Sequence, residues 1–132
     1  MRVCTEKKFI VTLNDRIRWM DNIRNEIDSG AMAADQRAAV NSICQGSAAD
    51  VMKFAMIGIE RRLKREFGNN PPCATLLQIH DELLFEVDKD RLPEATRVIK
   101  EEMEGAWIGL AVPLKVAFKV GESWGECKKY DA

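Results

Sequence analysis

The chain has 132 residues, enough for one modest hydrophobic core and too few for two ordinary domains. Its 46% apolar and 31% charged residues are a globular composition, which excludes a disordered or fibrous chain. Twenty basic residues stand against twenty-one acidic ones, a net charge of −1, whereas a dedicated nucleic-acid-binding module is usually strongly basic. No run approaches the roughly 18 apolar residues of a membrane span, and the N-terminal MRVCTEKK lacks the apolar stretch of a signal peptide. Cys4, Cys44, Cys73 and Cys127 form no C-x-x-C pair. They argue against a zinc site or disulfide scaffold and suit a reducing intracellular compartment.

Lys8-Phe-Ile-Val-Thr-Leu13 reads as a short strand, its β-branched residues at 10 to 12, followed by the turn signal Asn14-Asp15. A basic, partly aromatic stretch (Arg16, Arg18, Trp19, Arg24) ends in the loop signal Asp28-Ser29-Gly30. From about Ala31 to Phe67 the spacing of Ala34, Ala38, Ile43, Val51, Ala55, Ile59 and Leu63 predicts a long helix, with Gly46-Ser47 a weak point or kink. Gly68 and then Asn-Asn-Pro-Pro close it with a left-handed cap and two residues that cannot continue a helix. Arg61, Arg62, Lys64 and Arg65 read as a solvated face near its C-terminus.

ATLLQI (74–79) and LLFEV (83–87) predict an antiparallel hairpin with His80-Asp81-Glu82 at or near its turn. Asp88 or Asp90 is placed to cap a helix starting near Leu92 or Pro93, with Leu92, Ala95, Ile99, Met103 and Ala106 as its apolar stripe and Gly109 beyond its end. LKVAFKV (114–120) alternates apolar and wet positions, a half-buried strand ended by Gly121, and Trp124 is expected to pack back onto the fold. The fold class is α+β: long helix, β-hairpin, helix, antiparallel strand. The chain contains no internal repeat, low-complexity tract or interdomain linker.

Two groups of residues suggest chemistry. His80-Asp81-Glu82 is a polar, titratable triplet flanked by apolar strands. It reads as a polar turn with a capping Asp, or as a metal-linked carboxylate, since Mg²⁺ takes one or two carboxylates together with substrate phosphates. Neighbouring residues of an extended chain point to opposite sides, so Asp81 and Glu82 should not share one ion, and two-metal chemistry needs a second carboxylate from elsewhere. Arg37, Asn41 and Gln45 are spaced by four, which puts them on one helical face, either as a solvated stripe or as donors to base edges and phosphates. The small residues of Gly46-Ser47-Ala48-Ala49 permit close approach of another backbone or of nucleic acid.

Asp35-Gln-Arg-Ala-Ala-Val-Asn-Ser-Ile-Cys-Gln-Gly-Ser-Ala-Ala-Asp50 followed by Gln78-Ile-His-Asp-Glu-Leu-Leu-Phe-Glu86 resembles the C-terminal palm of family A DNA polymerases, the DNA polymerase I class. QGSAAD, LLFEV and the ending GESWGE (121–126) look closest to the theta and nu branch. The resemblance implies a partial polymerase palm, with residues 1–30 following the fingers and residues 31–132 forming the C-terminal palm subdomain. It implies that Asp81 is the motif C aspartate that binds Mg²⁺, with Glu82 a secondary acidic residue and His80 near the primer terminus. Arg37, Asn41 and Gln45 correspond to helix positions that meet primer and template through the minor groove, whose acceptors are shared by all base pairs. FIVTLNDRIRW (9–19) is similar to the T-x-x-G-R-R-R-Y segment after the fingers, with Thr12, Arg16, Arg18 and Trp19 in place, Asp15 where glycine is expected and Ile17 where an arginine is expected.

The function implied is template-directed nucleotidyl transfer with two Mg²⁺ ions, in DNA repair or replication, on primer–template DNA and deoxynucleoside triphosphates, with no membrane partner. The nucleus is the expected location, an organelle the alternative. The family's motif A aspartate and fingers helix have no counterpart in these residues, so this chain alone is expected to be inactive, with an unpaired palm edge that favours self-association. Two rival readings are a truncated palm that binds DNA or a partner without catalysis, and an unrelated α+β domain whose His-Asp-Glu is only a polar turn.

Overall fold

Phe9-Ile10-Val11 leads the first compact part of the protein because its middle residue is apolar, β-branched and completely buried. The structure, a computed structural model, describes residues 2–4, 9–19 and 29–131, and the side chains of 9–19 and 37–131. Arg2–Cys4 (β1), Phe9–Val11 (β2) and Ile17–Trp19 (β3) form an antiparallel sheet in the order β1-β2-β3. In its register Ile10 stands opposite Val3 and Arg18, and Phe9 opposite Trp19. The Phe9 and Trp19 rings meet edge-on at 5.5 Å, the cross-strand pairing that stabilises short sheets. Of the strand expected over residues 8–13, Phe9–Val11 is formed and the turn follows it, while β1 and β3 were not legible, being only three residues long. Arg24 and Asp28 lie outside the described residues.

A single helix, α1, runs Ser29–Phe67. It begins two residues before the expected Ala31, so Ser29-Gly30 belongs to the helix rather than to a loop. It continues unbroken through Gly46-Ser47. The glycine is there for contact: a Cβ on Gly46 would come within 2.8 Å of Thr12 Cγ2, so only glycine lets the β2–β3 turn approach this closely. Ala39 and Ile43 are buried with Ile10 as one small core, whereas Ala38, expected inside, is exposed. The buried stripe then resumes at Ala55, Ile59 and Leu63, out of phase with Ala39 and Ile43. The break falls where the chain divides into two compact units, Met1–Val51 and Met52–Ala132.

In the second unit α1 ends as its sequence dictates: Gly68 adopts φ +60° and its N–H donates to Lys64 O at 3.0 Å. Cys73–Ile79 (β4) and Glu82–Val87 (β5) form the expected hairpin. A one-residue bulge interrupts its register between Thr75 and Leu77, leaving Leu76 as the extra residue. Asp88 caps the short 3₁₀ turn Lys89–Arg91, its Oδ1 accepting from Asp90 N at 3.1 Å, rather than the helix that follows. That helix, α2, runs Leu92–Glu104 with proline in its first turn and Gly105, not Gly109, at its C-cap.

Ile59 and Leu63 of α1, Cys73 of β4, and Ala95, Val98 and Ile99 of α2 form the larger core, with Leu83, Phe85, Val87 and Phe118 packed against it. Of the expected 114–120 strand only Phe118–Val120 (β6) pairs, with Lys128–Tyr130 (β7), although burial alternates along the whole of 114–120. Trp124 does not pack back: it is 60% exposed in the 3₁₀ turn Trp124–Glu126. Nor is Arg62 a solvated residue. Its side chain is only 14% exposed, and its guanidinium meets Glu66 at 2.7 Å, Glu101 at 2.5 Å and Glu102 at 3.3 Å. The fold is thus mixed helix and small antiparallel sheets. Among the described residues, no helix is long and apolar enough to cross a membrane.

Candidate nucleic-acid interface

Residues spaced by four drift only about 40° around an α-helix. Arg37, Asn41 and Gln45 therefore line one face of α1, and all three are exposed. Ala39, Ile43 and Asp50, which are buried, lie on the opposite side of the helix by the same geometry. Within the first unit the packed side and the donor side of α1 are thus separate. An exposed row of one guanidinium and two carboxamides can donate to carbonyl oxygens, ring nitrogens or phosphates. Cys44 is exposed within the same stretch.

The packed side is tied to the β2–β3 turn by polar contacts. Thr12 Oγ1 donates to Asp50 Oδ2 at 2.5 Å, and Arg16 Nε donates to Asp50 Oδ1 at 3.0 Å. Arg16 Nη2 donates to Gly46 O at 3.0 Å, Arg18 Nη1 to Ser42 Oγ at 3.0 Å, and Leu13 N to Ser47 Oγ at 2.9 Å. The turn itself is closed by Thr12 N to Arg16 O at 3.0 Å, with Asp15 at φ +54°. Asp15 therefore holds the left-handed conformation that glycine adopts without cost, one of the few that Asp tolerates. Arg16 and Arg18, both expected at the interface, flank α1 with their side chains still reaching solvent. Sequence reasoning missed the roles of Thr12 and Asp50, while the small residue at Gly46 was the expected point of close approach. The available signal was an acidic residue in phase with Ala39 and Ile43, since a carboxylate on a buried face requires a partner.

His80, Asp81 and Glu82 belong to the second unit. Ile79 pairs with Glu82, so His80 and Asp81 alone make the turn and Glu82 opens β5. His80 has φ +54°, a left-handed conformation that costs a non-glycine residue on the order of 1 kcal/mol and that a two-residue hairpin turn takes at its first position. Gln78 Nε2 donates to His80 O at 3.3 Å across the turn. Leu83, Phe85 and Val87 pack toward the core, which leaves Glu82 on the other face of β5. Asp81 and Glu82 are exposed, and among the described residues neither carboxylate is taken up in an ion pair.

Asp81 fits part of a magnesium site: a hard-oxygen ligand on a hairpin turn, in no ion pair among the described residues. Among the described residues no three His, Cys, Asp or Glu side chains come together as a self-sufficient metal cluster. An ion at Asp81 would need further oxygens from substrate, water or another chain segment.

Comparison with known proteins gives one consistent result. The sequence profile of DNA polymerase family A matches residues 1–126. DNA polymerase theta of Drosophila melanogaster is 37% identical over 128 residues, covering 93% of this chain and 6% of that protein. The thermostable DNA polymerase I of Thermus filiformis is 42% identical over 123 residues, covering 92% of this chain and 14% of that protein. Among solved structures, the POL domain of Pol1 from M. smegmatis, in complex with DNA primer-template and dNTP, superposes with a TM-score of 0.71 at 34% identity. It covers 83% of this chain and 18% of that one. The chain spans less than a fifth of the length of each of these proteins.

Proposed function

The chain belongs to DNA polymerase family A, and from that premise we propose that it is the primer–template-contacting, metal-binding C-terminal palm portion of a DNA-directed DNA polymerase. The observation that carries this reading is the exposed Arg37–Asn41–Gln45 row on the side of α1 away from its packed residues.

In this role Arg37, Asn41 and Gln45 hydrogen-bond minor-groove acceptors common to all base pairs. They register correct pair geometry without reading sequence, as a template-directed enzyme requires. Arg16 and Arg18 contact backbone phosphates. His80 sits by the primer terminus, Asp81 holds magnesium, and Glu82 acts beside it in a secondary role. In the complete site the primer 3′-hydroxyl would attack the α-phosphate of a deoxynucleoside triphosphate, breaking the α–β bond and releasing pyrophosphate, and bound magnesium would supply stabilisation of the developing charge. The second metal-binding carboxylate and the triphosphate clamp would come from chain outside these 132 residues. The chain by itself is therefore inactive in this reading, and the longer protein works in repair or replication.

The test is equilibrium binding of the chain to a fluorescein-labelled primer–template duplex. Wild type is expected to bind with salt-dependent affinity, and Arg37→Ala/Asn41→Ala/Gln45→Ala to bind much more weakly. Equal affinities would sink the proposal. A second reading, a DNA-binding palm without catalysis, needs only the exposed donor row of α1. Grafting this chain into the Thermus filiformis enzyme separates the two. Primer extension abolished by Asp81→Ala supports catalysis, and a chimera that binds duplex without extending it supports binding alone.

A further inference from the structure

Asp50 is a carboxylate in a buried position, its side chain 5% exposed, and the proposed chemistry gives it no role. A buried carboxylate survives only if its lone pairs are satisfied. Here Thr12 Oγ1 takes one oxygen and Arg16 Nε the other. Arg16 is then held at a second point, Nη2 on Gly46 O, and the missing Cβ of Gly46 is what lets the turn sit this close. Yet the Arg16 side chain is 47% exposed, and among the described residues its Nη1 has no partner. A flexible side chain normally gives up rotamer entropy when it grips a ligand. Arg16 has lost that freedom before any ligand arrives.

We propose that Asp50 and Thr12 are positioning residues that lock Arg16 against α1, so that its outward guanidinium edge forms a preset contact for a phosphate oxygen of the nucleic-acid backbone. This rests on the DNA-contact reading above and assigns that contact its geometry. The two-point grip uses the planar fork of arginine. Lysine carries the same charge but cannot hold Asp50 through one nitrogen and Gly46 O through another while presenting a third.

The experiment is the same duplex-binding titration, run across a salt series on wild type, Arg16→Lys, Arg16→Ala, Asp50→Asn and the Arg16→Ala/Asp50→Asn pair. Circular dichroism confirms the helix content of each variant. Loss of one phosphate contact lowers the slope of log affinity against log salt by about 1. Arg16→Lys is expected to lose that much although its charge is kept. Asp50→Asn should match it, and the double variant should be no worse than Arg16→Ala. Should Asp50→Asn fail to fold, Arg16→Lys, changed at a half-exposed side chain, decides alone. A wild-type slope in Arg16→Lys overturns the positioning role, because charge alone would then suffice. A further loss in the double variant overturns the claim that Asp50 acts through Arg16. A wild-type chain without salt-dependent affinity overturns the DNA-contact reading itself, and the positioning with it.

Discussion

Arg62 Nη1 and Glu102 Oε1 meet at 3.3 Å across forty residues of sequence, joining α1 to α2. The same guanidinium holds Glu101 and Glu66, and Arg97 Nη2 adds a second cation to Glu66 at 3.0 Å. Glu66, Glu101 and Glu102 push the Arg62 proton affinity further up. Arg62 and Arg97 hold the Glu66 carboxyl below its ordinary value of 4.5. A depressed carboxyl contributes stability that is complete above the unfolded value and lost as pH falls through the lower folded one. The thermal midpoint is therefore expected to drop as pH is lowered from about 5 toward 3. Glu66→Gln should lower the midpoint at neutral pH and flatten that acid slope. An unchanged slope in Glu66→Gln would remove the network from the account of acid sensitivity.

Two non-glycine residues, Asp15 and His80, carry φ +54°. Glycine relieves the left-handed penalty of about 1 kcal/mol but adds backbone entropy to the unfolded chain, so the net gain is about 0.5 kcal/mol. Urea unfolding should show that gain for both Asp15→Gly and His80→Gly. The two should part in DNA binding, Asp15→Gly staying near wild type and His80→Gly weakening. A destabilised Asp15→Gly would mean that the Asp side chain contributes more than its backbone costs.

Cys44 gives a footprint of the donor face without mutating it. It is exposed between Asn41 and Gln45, whereas Cys73 is buried and its thiol is pushed up by that burial. Only the thiolate reacts, so iodoacetamide should label Cys44 readily and Cys73 hardly at all in the folded chain. Primer–template DNA should slow Cys44 labelling several-fold, read as peptide masses. Labelling at the same rate with and without DNA would place the contact elsewhere.

On the hairpin face away from the core, Leu77 is 49% exposed, with Ile79 and Leu84 partly exposed beside it. The sheet has two strands, β4 and β5, so its backbone edges are open to pairing. The isolated chain is expected to self-associate, its weight-average mass rising with concentration in sedimentation equilibrium. Leu77→Lys should reduce that rise, and a strictly monomeric wild type would refute the expectation.

What could be read from sequence followed from strong local chemistry. Gly68 and the two prolines end α1, Pro93 opens α2, and the alternation of 114–120 appears in its burial. Three-residue strands such as β1, β3 and β7 have no period to detect. Ala38 falls outside the core because the buried positions of α1 shift phase between Ile43 and Ala55, which a single stripe along the helix does not capture. Arg62 looked solvated because its partners Glu101 and Glu102 lie on another helix. At the candidate site, motif spacing found the donor face and the turn residues. The Asp50 grip was hidden because it depends on a contact between residues more than thirty positions apart.

The bulge at Leu76 separates aiming from chemistry. An extra residue in one strand bends and twists the ribbon beyond it, and beyond it lies the turn of His80 and Asp81. Removing Leu76 would leave every other cross-strand partner in β4 and β5 unchanged, since the pairs on either side of it are already in step within themselves. Leu76 thus works like a set-screw on the bearing of the Asp81 carboxylate. A single-codon deletion or insertion there could redirect the tip while leaving Asp81 itself in place, a kind of variation that point substitution at Asp81 can never supply.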